Sequence, residues 1–102
     1  MYRARDRVEN ESWLTELQHA ADRLDLGTDA RSIAEDLYLS DVPETDRSKR
    51  AAVAASLYAG ALIAGDQRSQ RAVADATGVA RLTIQQRWKP LLEDAGMKPP
   101  SW

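Results

Sequence analysis

Residues 47–66 read RSKRAAVAASLYAGALIAGD, and this stretch decides the fold. Between positions 51 and 64 every side chain is apolar or small, apart from the Ser56 and Tyr58 hydroxyls. A helix without a polar face must be buried all round. The stretch is therefore expected to be the central helix of a bundle, with its alanines and Gly60 letting neighbours pack close. Its apolar part is too short for a bilayer, which needs about 20 residues. Arg47, Lys49 and Arg50 also crowd its entry, so no membrane partner is expected.

Amphipathic segments flank this hub on both sides. A first helix is predicted from Asn10 or Ser12, either a suitable N-cap, with Trp13, Leu14, Leu17, Ala20, Ala21 and Leu24 at helical spacing and Gly27 closing it. A second, capped by Thr28 or Asp29, presents Ala30, Ile33, Ala34, Leu37 and Tyr38 and stops before Pro43. Thr45 or Asp46 caps the central third helix and Gly65 ends it. A short fourth helix over 69–77 turns Ala72, Val73 and Ala76 inward. Gly78 suits a left-handed turn. Val79 then opens a fifth helix whose core residues are Val79, Ile84, Trp88 and Leu92, and Pro90 is expected to kink or end it. The expectation is an all-α domain of five helices over 10–96, with a buried third helix and a helix-turn-helix at 68–95. Residues 1–9 are expected to be a flexible arm, in which Arg3, Arg5 and Arg7 can touch phosphate, and 97–102 an extended tail.

Composition limits the chemistry. The 102 residues suffice for one core. Without cysteine there is no disulfide, thiol nucleophile or cysteine zinc site, and the single His19 cannot hold a metal alone. His19, Glu16 and Asp22 share the first helix with no nucleophile beside them. We expect no catalytic residue, no metal, no cofactor and no small-molecule substrate, hence no enzyme. The charged first eight residues are not a signal peptide, which points to a cytoplasmic protein; binding to DNA would make it nucleoid-associated.

The net charge of −2 hides two halves of opposite sign. Residues 1–46 carry five Lys or Arg against twelve Asp or Glu; residues 47–102 carry nine against four. The basic half is the candidate polyanion surface. Residues 68–89 hold five basic residues against Asp75 alone. On the fifth helix Arg81, Gln85 and Lys89 recur every four residues, with Leu82 and Gln86 beside them. Arginine suits guanine, glutamine suits adenine, and a leucine can meet a thymine methyl in the major groove of double-stranded DNA. The candidate base-reading residues are Arg81, Leu82, Gln85 and Gln86; the candidate phosphate contacts are Arg68, Arg71, Thr83 and Lys89. Arg47, Lys49 and Arg50 sit where a helix dipole disfavours cations, which suggests a phosphate or an acidic partner nearby.

The run SQRAVADATGVARLTIQQRWKPLLED, following SKRAAVAASLYAGALIAGD, resembles the core domain of archaeal transcription factor B and general transcription factor IIB. That resemblance implies a five-helix cyclin-like repeat whose third helix is central. In the family the helix-turn-helix of the second repeat reads the promoter element beside the TATA box, and the repeats clamp the TATA-binding protein. The family pattern GV-x-x-VTIR-x-x-Y is matched at Gly78, Val79, Thr83 and Ile84, with Leu82 in place of the usual valine. Gln85 stands where the family has a base-reading arginine, Ala80 where a capping threonine is common, and Trp88 where a tyrosine is usual. The resemblance thus implies a DNA-binding transcription regulator, expected to lack the family's zinc ribbon and its second repeat. The competing expectation is an adaptor that binds the TATA-binding protein or another transcription protein through its acidic half, without reading DNA.

Overall fold

The computed structural model describes residues 10–97. Five helices follow in order: α1 Glu11–Arg23, α2 Thr28–Ser40, α3 Asp46–Ile63, α4 Gln70–Thr77 and α5 Arg81–Asp94. Among the described residues there is no strand. As the composition of 51–64 requires, α3 is the hub. All residues from 51 to 62 are buried, and α1, α2, α4 and α5 each pack against it. Thr45 caps it, its Oγ1 accepting the Ser48 N–H at 3.2 Å.

At Gly60, α3 and α2 approach closely. A Cβ added at Gly60 would stand 2.8 Å from the Ala34 nitrogen and 3.0 Å from the Ala30 oxygen. Those are backbone atoms, which cannot swing aside as a side chain does. Glycine is therefore required here for lack of space, and Ala30 and Ala34 complete a contact in which the two backbones nearly touch. The core closes around it with Leu17, Leu37, Leu57, Val73, Ile84 and Leu92, all fully buried. Two hydroxyls, Tyr38 Oη and Ser56 Oγ, are buried in it without a hydrogen-bond partner.

Four local expectations are corrected. Gly27 does not close α1. The helix ends at Arg23, and Asp25 takes the left-handed position with φ 55°. Leu26 N–H donates to the Ala21 oxygen and Asp25 N–H to the Asp22 oxygen, a paired closure that makes the final carbonyls useful. Aspartate tolerates this conformation better than most residues, and the early turn puts Leu24 and Leu26 into the core. Secondly, neither Thr28 nor Asp29 caps α2. Gly27 is its extended N-cap, and both residues lie within its first turn. Thirdly, α5 opens at Arg81 rather than Val79, because Ala80 is extended and half-buried Val79 packs against the core before the helix begins. Lastly, Pro90 does not end α5, which continues to Asp94. An interior proline costs about 3 kcal/mol or more; beyond it Leu92 is fully buried, and burying a leucine returns about 1.5–3 kcal/mol of that cost.

At the C-terminus Met97 packs against the core rather than extending away. The expected arm at 1–9 and the remaining tail at 98–102 lie outside the described residues.

Two substitutions test this packing. Gly60→Ala should destabilise the fold by about 1–3 kcal/mol, opposite in sign to the gain of about 1 kcal/mol that the same change gives in an open helix. Pro90→Ala should stabilise it by up to about 3 kcal/mol, since it returns an N–H to the helix at an exposed position. Urea denaturation at equilibrium measures both.

Candidate nucleic-acid interface

The α4–α5 pair is joined by residues 78–80. Ser69 caps α4, its Oγ accepting the Ala72 N–H at 3.0 Å. Gly78 ends α4 with φ 75°, its N–H donating to the Ala74 oxygen, so the chain reverses within three residues. The buried side of α5 follows one helical stripe. Ile84, Trp88 and Leu92 are all buried, and the Trp88 ring meets Tyr58 of α3 edge-on with centroids 5.3 Å apart. This contact anchors α5 on the hub and fixes which side faces outward.

The outward side carries Arg81, Leu82, Gln85, Gln86 and Lys89, all exposed, with Thr83 half-buried at its edge. Leu82 is 65% exposed, the one large hydrophobic left open to solvent among the described residues. The Lys89 ammonium lies 5.5 Å from the centre of the Trp88 ring, which holds it along α5. No acid occurs between Asp75 and Glu93, so the face is cationic along most of the helix. Nor does a side chain cap α5 at Ala80, and its first N–H groups have no partner within the helix.

The structure joins to this face residues that are distant in sequence. Arg47, Arg50 and Ala51 at the start of α3 line one cleft with Gly78, Val79, Ala80 and Thr83. Arg50 also stacks its guanidinium 5.7 Å from the Trp13 ring centre. The signal in sequence was their unfavourable place on the α3 dipole, although sequence alone does not place them beside the α4–α5 turn. Of the other candidates, Arg71 on α4 is exposed. Arg68 is not part of the exposed face. Its half-buried guanidinium turns inward and donates to backbone carbonyls of the α1–α2 turn.

Among the described residues no three of His, Cys, Asp or Glu group as metal ligands. Tyr38 has its pKa pushed up to about 12, chiefly by burial and then by the Asp46 carboxylate, so it stays neutral at ordinary pH. No described helix is long and apolar enough to cross a membrane.

The profile of the "Transcription factor TFIIB repeat" family matches residues 11–94, which takes in all five helices. The chain belongs to this family, and its fold is the all-α cyclin-like repeat. Among named relatives, "Transcription initiation factor IIB" of Pyrococcus horikoshii is 41% identical over 54 residues, which are 53% of this chain and 18% of the relative. The factor of the same name from Archaeoglobus fulgidus is 38% identical over 52 residues, 51% of this chain and 16% of that protein. "Transcription initiation factor IIB 1" of Thermoplasma volcanium is 50% identical over 40 residues, 39% of this chain and 13% of its own. The chain thus matches less than a fifth of the length of each. All three bear the names of transcription initiation factors.

Asp66 has its pKa lowered, first by the Gly27 N–H donating to its carboxylate and then by Arg68. A carboxyl whose folded pKa lies below its unfolded one favours the folded state above the ordinary value of 3.8 and loses that contribution as pH falls through the folded value. Asp66→Asn should therefore lower the melting temperature at about pH 7, and its deficit relative to the wild type should shrink at about pH 2.5.

Proposed function

We propose that this TFIIB repeat is a DNA-binding transcription regulator that uses α4 and α5 as a helix-turn-helix, with α5 in the major groove of double-stranded DNA. The observation that carries this reading is the exposed, acid-free face of α5, where Arg81, Leu82, Gln85 and Gln86 stand together on a helix anchored by Trp88. Each of the four matches a base-edge contact in kind: arginine for guanine, glutamine for adenine, leucine for a thymine methyl. The exposed Leu82 can meet a thymine methyl group in the groove.

Phosphate contacts come from Arg71 and Lys89 on the pair itself, from Thr83, and from Arg47 and Arg50 across the shared cleft. The uncapped start of α5 suits the same ligand, since its N–H groups and the helix dipole both favour an anion. Gln85 in place of the base-reading arginine implied by the resemblance shifts preference from guanine toward adenine at that position. A lone module of this size grips DNA weakly, and a protein partner such as the TATA-binding protein supplies the remaining affinity. This reading assigns the chain no catalytic step, cofactor or small-molecule substrate.

Fluorescence anisotropy of labelled promoter and scrambled duplexes, titrated across a salt series with and without TATA-binding protein, tests the proposal. Gln85→Ala should change site preference more than overall affinity, with a good bidentate contact worth about 1–3 kcal/mol of discrimination. Arg71→Ala should weaken binding to all sequences alike and reduce the log–log salt slope by about one unit. No binding to either duplex under any condition would overturn the reading and move the work to the acidic half, as an adaptor for another protein.

A further inference from the structure

We propose that Arg68 is a positioning residue for DNA recognition and that, with Arg23, it clasps α4 to the end of α1 and so sets where α5 presents its face. The proposal rests on the DNA reading above. Its structural part stands on separate geometry.

The short helix α4 is the weak member of the bundle. It has eight residues and one fully buried side chain, Val73. A helix that short does not hold itself in water, where about 12–15 residues are marginal. Its position must come from what ties it down. The N-terminal tie is Arg68. Nε donates to the Leu24 oxygen at 2.8 Å and Nη2 to the Asp25 oxygen at 3.0 Å, both at the C-terminal end of α1. Nη1 donates to Asp66 Oδ1 at 2.9 Å, while Asp66 Oδ2 accepts the Gly27 N–H at 2.8 Å. The link before α4 is thereby bound to the turn between α1 and α2. Guanidinium charge is also favoured at that site, because α1 directs the negative end of its dipole there.

The C-terminal tie comes from the same helix. Arg23, in the last turn of α1, donates from Nη1 to the Ala76 oxygen of α4 at 3.0 Å. Two arginines thus hold the two ends of α4 against one helix terminus. The next residues after Ala76 are Thr77 and Gly78, where the chain turns toward α5. With donors from Nε and both Nη atoms engaged, Arg68 has little left to offer a phosphate, and turning it outward would strip those carbonyls of their partner.

The planar fork of arginine makes the test sharp, because lysine keeps the charge but cannot reproduce several divergent donors at once. Arg68→Lys, Arg68→Ala and the milder Arg23→Ala are compared with the wild type in two measurements. These are duplex affinity across a salt series, and amide hydrogen exchange of the protein alone. The expected result is a several-fold loss of affinity that Arg68→Lys shares with Arg68→Ala, at an unchanged salt slope. Exchange should accelerate at Val73 and Gly78, amides of α4 and its turn, while Leu57 in α3 keeps its rate, and Arg23→Ala should act mainly at Gly78. If Arg68→Lys binds like the wild type while Arg68→Ala loses about one unit of salt slope and exchange is unmoved, Arg68 is a phosphate ligand and the clasp is wrong. Equal acceleration in α3 and α4 would also overturn it, because Arg68 would then stabilise the whole fold. If the wild type bound no duplex, the DNA reading would fail, and the exchange comparison would still decide whether the clasp exists.

Discussion

At Gly60 the backbones of α2 and α3 meet with no side chain between them, and the rest of the bundle depends on that contact. It lets a helix of alanines, with little side-chain volume of its own, be covered on all sides. The larger residues that cover it come from its neighbours: Leu17 from α1, Leu37 from α2, Val73 from α4, and Ile84 and Leu92 from α5. The small residues of α3 and the large ones around it form a single packing solution. Enlarging the hub at this point pushes against the α2 backbone at Ala30 and Ala34.

The hub also determines how that face is presented. Trp88 packs on Tyr58 of α3, and with the rotation of α5 fixed, the helical repeat places Arg81, Gln85 and Lys89 on the solvent side. The cationic start of α3 returns to the same region, where Arg47 and Arg50 share a cleft with the α4–α5 turn. These charges oppose the dipole of α3 at a cost of about 0.3–1 kcal/mol each. In the proposed DNA complex a nearby phosphate backbone would offset that cost.

Sequence alone goes a long way for this chain. The apolar run at 51–64 has no polar face, is too short for a bilayer and is entered by basic residues, which together point to a buried helix. The turn at Gly78 and the stripe of Ile84, Trp88 and Leu92 are likewise local patterns with one physical solution. What escaped the sequence depends on contacts between distant segments. Asp25 replaces glycine in the left-handed closure of α1 because Leu24 and Leu26 both reach the core. Pro90 stays within α5 because Leu92 has a seat further on. Arg68 carries the same charge and lies beside the same helix as a phosphate-binding arginine, and only the fold reveals the Leu24 and Asp25 carbonyls that draw it inward. Charge can be counted along a chain; the direction in which a long side chain points cannot.

The central claim is that the outer face of α5 lies against DNA, and the chain's lack of cysteine allows a direct test. Gln85→Cys and, separately, His19→Cys at an exposed position of α1 introduce a single thiol to which a DNA-cleaving iron chelate is attached, and each protein is mixed with a duplex selected from a random-sequence pool. The account predicts cleavage within one short window from the Gln85→Cys protein and none from the His19→Cys protein. Cleavage spread along the duplex, or equal from both proteins, would contradict it.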